Sequence, residues 1–110
     1  MEQFTIQVKG SSSEPYEITF IKDNDNLTAL CTCSAGSFGN LCKHRVAILD
    51  GKTAAVLDED KNKVPRAVEW LAGSDVERAL QALRKLESMP DATKDAITAA
   101  KRKLARAMNT

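Results

Sequence analysis

The 110-residue sequence predicts an α+β protein: a small antiparallel β-sheet with a ββα-type finger, followed by a C-terminal segment of about three helices. Three observations carry this. The first third alternates apolar and polar residues with a period of two; all three cysteines and the only histidine fall within fourteen residues; and the last part repeats apolar residues every three or four positions. At this length a single core is expected, thin enough for a metal staple to matter.

Phe4, Ile6 and Val8 alternate with Thr5, Gln7 and Lys9, and Tyr16, Ile18 and Phe20 with Glu17 and Thr19, as in strands with one buried face. The polar, Pro-ended run from Gly10 to Pro15 separates them. Asp23-Asn24-Asp25-Asn26 is a second turn, built of residues that tolerate left-handed backbone. Leu27 to Cys31 supplies a third strand, and a meander is the simplest topology. Arg45 to Leu49 reads as a short helix ending at Asp50-Gly51, where glycine suits a helix C-terminus. Ala54 to Leu57 reads equally as a short strand or a packed loop, and Asp58 to Lys63 as a charged connector. The organisational boundary falls there, with residues 1–58 as sheet and finger and 59–110 as a helical segment packed with it as one unit.

Pro65 suits the first turn of a helix running through Ala67, Val68, Trp70 and Leu71 to Gly73. Trp70 is expected to anchor the helices to the finger. Ser74 with Glu77 forms a capping box, ahead of a buried stripe of Val76, Ala79, Leu80, Leu83 and Leu86. A further start at Ser88 to Asp91 opens the last helix, with Ile97, Ala100, Leu104 and Met108 on one stripe.

The formal charge is only +1, so the chain is neither globally acidic nor globally basic. No run of about eighteen apolar residues occurs, and the N-terminus lacks a basic start and an apolar stretch. A cytoplasmic protein without membrane association is therefore expected. Charge is uneven: residues 1–60 carry a net −4 and residues 61–110 a net +5. Lys101, Arg102, Lys103 and Arg106 make the last helix locally basic, which suits either a solvated face near the negative end of the helix dipole or a phosphate-contacting surface.

The chemistry lies in Cys31, Cys33, Cys42 and His44. Three thiolates and one imidazole form the closed tetrahedral set that structural zinc prefers, implying one zinc ion per chain. Along a strand Cys31 and Cys33 leave on the same face. Residues two apart in a helix diverge by about 200°, so Cys42 should precede the helix and His44 lie in its first turn. Gly36 and Gly39 let the loop turn back, and free amides at the helix start can donate to thiolates. Zinc with three thiolates and neutral His44 carries about −1, which Lys43 and Arg45 can offset. Phe38 and Leu41, inside the loop, suit a dry cover for the metal or an exposed recognition role.

The pattern C-x-C-x8-C-x-H, with an alternating strand before it and Arg45-Val46-Ala47-Ile48-Leu49 after it, resembles the SWIM zinc finger over about residues 16–50. The resemblance implies a strand-strand-helix module with Cys31, Cys33, Cys42 and His44 as zinc ligands. It also implies a role in DNA binding or protein interaction, and no catalytic activity. The helical C-terminal half lies outside it.

Two binding functions follow. In one, Lys43, Arg45, Lys52 and the Lys101 to Arg106 stretch contact DNA phosphates, and affinity falls steeply with salt. In the other, the chain is an adaptor whose helices or sheet edge dock a protein, with zinc purely structural. A thiol enzyme or redox switch is the third alternative, disfavoured because zinc would occupy every cysteine. Four protein ligands leave no open position for catalytic water, so neither an enzyme nor a small-molecule substrate is expected.

Overall fold

Period-two patterning produces three strands, β1 (Glu2–Val8), β2 (Tyr16–Asp23) and β3 (Asn26–Cys31), in an antiparallel sheet of order β1-β2-β3. The structure, a computed structural model, describes residues 2–10, 13–33, 36 and 40–109. Its register sets Phe4 opposite Phe20 and Ile6 opposite Ile18, with Ile18 in turn opposite Cys31. One face therefore presents Ile6, Val8, Ile18, Phe20, Leu27, Ala29 and Cys31, all buried. A two-residue connection joins β2 to β3, where Asn24 takes the left-handed conformation (φ 55°) that asparagine tolerates.

Among the described residues four α-helices follow: α1 (Lys43–Leu49), α2 (Val64–Leu71), α3 (Asp75–Glu87) and α4 (Lys94–Met108). Helix α1 ends as expected, at Asp50 and at Gly51 with φ 81°. Ser74 caps α3 by accepting from Glu77 N, while Glu77 reaches back to Gly73 N, one residue earlier than in the usual box. The start of α4 differs from the sequence expectation. Thr93, whose Oγ1 accepts from Ala96 N at 3.1 Å, is its cap; the Ser88 hydroxyl instead donates to Lys85 O and closes α3.

The core is continuous across both parts of the chain, running from Ile6 and Phe20 through Val64 and Trp70 to Leu80, Leu104 and Met108. Trp70 meets Phe4 edge-on at 4.7 Å, and its carbonyl accepts from Lys22 Nζ. Helices α3 and α4 pack on each other and on β3.

The 58–63 connector is more than a charged link. It is a 3-10 helix whose buried Asp60 accepts from Gln7 N at 2.8 Å, while Lys63 donates to Thr5 O. The ambiguous 54–57 run lies alongside β1: Val56 bridges Val8, and Leu57 N donates to Gln7 O. On the opposite edge, Leu27 N donates to Asp75 Oδ1 and Ala29 O accepts from Arg45. Side chains and backbone from other elements thus close both sheet edges against strand addition.

Candidate metal centre

The strand places two sulfurs. Thr32 continues the β2–β3 ladder, donating from its N–H to Glu17 O and accepting Glu17 N–H at its hydroxyl, and it is exposed. The residues on either side, Cys31 and Cys33, consequently turn inward and are buried. Cys42 is the extended N-cap of α1 (φ −113°, ψ 123°), and His44 sits in the first turn. The change of backbone conformation between them lets Cys42 Sγ and His44 Nδ1 converge to 3.4 Å, which a continuous helix would forbid. Gly36 is needed for close approach, because a β-carbon there would lie 2.5 Å from Cys31 O. Its N–H points at Cys33 Sγ, 3.4 Å away. Phe38 and Gly39 lie outside the described residues, and Leu41 is half-buried against the core.

All four donor atoms lie within 4.8 Å of one another, and Cys33 Sγ is 3.3 Å from Cys42 Sγ. A tetrahedron with zinc–sulfur arms of ~2.3 Å has sulfur–sulfur edges of about 3.8 Å, so this set surrounds one zinc ion with little movement. A donor set of three thiols and an imidazole, buried or half-buried, fits one zinc ion per chain. The thiols are also electrostatically unequal. Hydrogen bonding from Cys31, assisted by the Arg45 backbone N–H, Cys33 and His44, holds Cys42 down to about 4 despite burial. The same bond to Cys42, together with burial, pushes the Cys31 thiol far above the ordinary range. Cys42 is thus a ready thiolate, whereas Cys31 must lose a proton to reach a metal.

The basic candidates separate. Arg45 is fully buried and cannot contact a phosphate: its guanidinium donates to Ala29 O, Asn40 O and Asn109 Oδ1, so the expected DNA contact is corrected to an internal one. Lys101, Arg102 and Arg106 are exposed along a groove of about 580 Å³ between α4 and the Asn40–Leu41 segment. Lys103, also exposed, projects about 100° further round the helix than Arg102 and does not line that groove. Lys43 and Lys52 border a second, apolar groove of about 920 Å³, joined there by Lys9, which sequence reasoning missed. Leu41 lines both grooves. Only the alternation of Lys9 with the apolar Val8 hinted at its exposure.

No helix among the described residues is long and apolar enough to cross a membrane. Neither a curated protein nor a solved structure matches the chain. Residues 4–50 do match the SWIM zinc finger family, a span that contains β1 to β3, all four clustered donors and α1. Cys31, Cys33, the capping Cys42 and the helical His44 thus lie inside the matched span, arranged as one possible metal site, and the similarity of residues 4–50 to the SWIM zinc finger supports a structural zinc-binding module.

Proposed function

We propose that the chain is a non-catalytic recognition module that binds nucleic acid, with zinc held by Cys31, Cys33, Cys42 and His44 serving a purely structural role. The observation that carries this reading is the groove between the zinc loop and α4, where Lys101, Arg102 and Arg106 lie together beside Thr98 and Asn40. Three cations along one groove suit successive backbone phosphates, and the neighbouring polar side chains can donate hydrogen bonds. The near-zero total charge does not oppose this, because the positive charge is concentrated where contact would occur. Three unpaired, buried thiols suit a reducing, cytoplasmic compartment.

The test is fluorescence anisotropy with a labelled DNA duplex across a salt series, comparing wild type with Lys101→Ala/Arg102→Ala/Arg106→Ala. Loss of three phosphate contacts should reduce the slope of log K against log salt by about 2.7. An unchanged slope removes this groove from the proposal.

A second reading is favoured by the apolar groove bordered by Lys9, Lys43 and Lys52, which suits an acidic peptide with apolar anchors. An adaptor role would use that groove or the helices rather than strand addition, since both sheet edges are closed. Capture of an acidic peptide with apolar anchors by the zinc-loaded chain, with no salt-dependent DNA binding, would favour it.

A further inference from the structure

Arg45 is the largest fully buried side chain of the molecule, and it is a cation. Among the described residues no carboxylate bonds it, and its Nε has no partner. A buried charge without a counter-charge is costly, so the surroundings must supply one or the guanidinium would not stay inside. Its three bonds are short and specific: Ala29 O at 2.7 Å, Asn40 O at 2.6 Å and Asn109 Oδ1 at 3.0 Å.

The positions of those acceptors are informative. Ala29 lies two residues before Cys31 on β3, and Asn40 lies two residues before Cys42 in the loop. The guanidinium therefore fastens together the two backbone segments that bring the sulfurs to one point. The Arg45 backbone N–H meanwhile donates to Cys42. The third acceptor belongs to a different part of the fold. Asn109 is the C-cap of α4, held in place by its own bond from Nδ2 to Ala105 O at 2.7 Å. Zinc with three thiolates and a neutral imidazole carries a net −1, equal and opposite to the guanidinium.

We infer that Arg45 is a positioning residue that couples zinc binding to the seating of α4, through one buried guanidinium shared by the zinc-site backbone and the Asn109 side chain. Zinc, held at one end of the network, thereby favours the geometry of the groove between Asn40, Leu41 and α4. By reciprocity, whatever loosens Asn109 must weaken zinc binding, although Asn109 is no zinc ligand. The inference rests on the zinc site alone and is independent of what the groove binds.

The experiment is chelator competition for zinc on the full chain, comparing wild type with Asn109→Ala, Arg45→Met, the double variant and Thr93→Ala. Thr93→Ala is the control, since it removes the cap at the other end of α4 without touching the network. Asn109→Ala should weaken zinc binding by about five-fold or more, and Arg45→Met further. The double variant should be no worse than Arg45→Met, because both remove the same link. Thr93→Ala should stay within about two-fold of wild type, well below the coupling expected of a linked site. Unchanged affinity in Asn109→Ala overturns the coupling, as does an equal loss in Thr93→Ala, which would report general helix stability. Should Arg45→Met fail to fold, the comparison of Asn109→Ala with Thr93→Ala decides alone.

Discussion

Replacing Cys42 by serine tests the zinc centre most directly. Cys42 is 1% exposed, caps α1 and lies against both Cys33 and His44, so its sulfur stands at the middle of the donor set. A serine hydroxyl is a poor zinc ligand, and it would be left in an apolar site, at a cost of about 1–3 kcal/mol if unsatisfied. The larger effect is the metal. Structural zinc contributes an apparent ~10–16 kcal/mol to folding, whereas a chain of this length has a net stability of only about 5–16 kcal/mol. Losing even half of the zinc contribution, about 5–8 kcal/mol, therefore equals or exceeds the lower end of the total. Since 1 kcal/mol moves Tm by roughly 4–8 °C in domains of this size, Cys42→Ser should be unfolded or molten at room temperature. Native mass spectrometry reads the zinc stoichiometry, and circular dichroism the fold. Wild type should carry one zinc and unfold with a strong chelator, and the variant should carry none. A Cys42→Ser protein that melts cooperatively near the wild-type temperature without metal would refute the reasoning.

The thiol environment makes zinc binding pH-dependent with a defined sign. Cys42 is already a thiolate above about pH 4, but Cys31 is protonated through the neutral range and must release a proton on binding. Apparent zinc affinity should therefore rise by at least about ten-fold per pH unit between about pH 6 and pH 8 in a buffered chelator competition, and a flat profile would contradict the assignment of Cys31. Asp60 predicts acid sensitivity in the fold itself. Burial pushes its carboxyl up, but the Gln7 N–H and the Lys63 ammonium outweigh this and hold it below the ordinary carboxylate value. The stability it contributes is present above about pH 3.9 and is lost as pH falls through the depressed value. Asp60→Ala should lower stability by about 1–3 kcal/mol near neutral pH, read by urea unfolding, and the variant should lose part of the wild-type decline in acid. No change in the urea midpoint would mean that the edge of β1 is satisfied another way.

Much of the zinc centre was legible because its signals are local. Cys31 and Cys33 share a face through strand periodicity, and the two-residue spacing of Cys42 and His44 required a cap followed by a helical turn. Both requirements are properties of a few consecutive residues. The start of α4 was less legible, because Ser88 and Thr93 are both good caps and only one bonds forward into a helix. Ser88 closes the helix behind it, a choice that depends on where α3 runs out.

Apart from Ser88, the residues that sequence reasoning misread were charged ones. The sequence by itself determined the strand order, the helix faces and the donor set, since each follows from backbone periodicity or from the preference of zinc for thiolate and imidazole. Only the tertiary structure decided that Arg45 turns inward while Lys101, Arg102 and Arg106 share a groove. The acceptors that make burial of Arg45 possible lie 16 residues before it and 64 after it in the chain. Asp60 is the same case, its partner Gln7 lying 53 residues away. A charge is buried or exposed according to the acceptors and donors that distant segments bring to it, and no local pattern of residues contains that information.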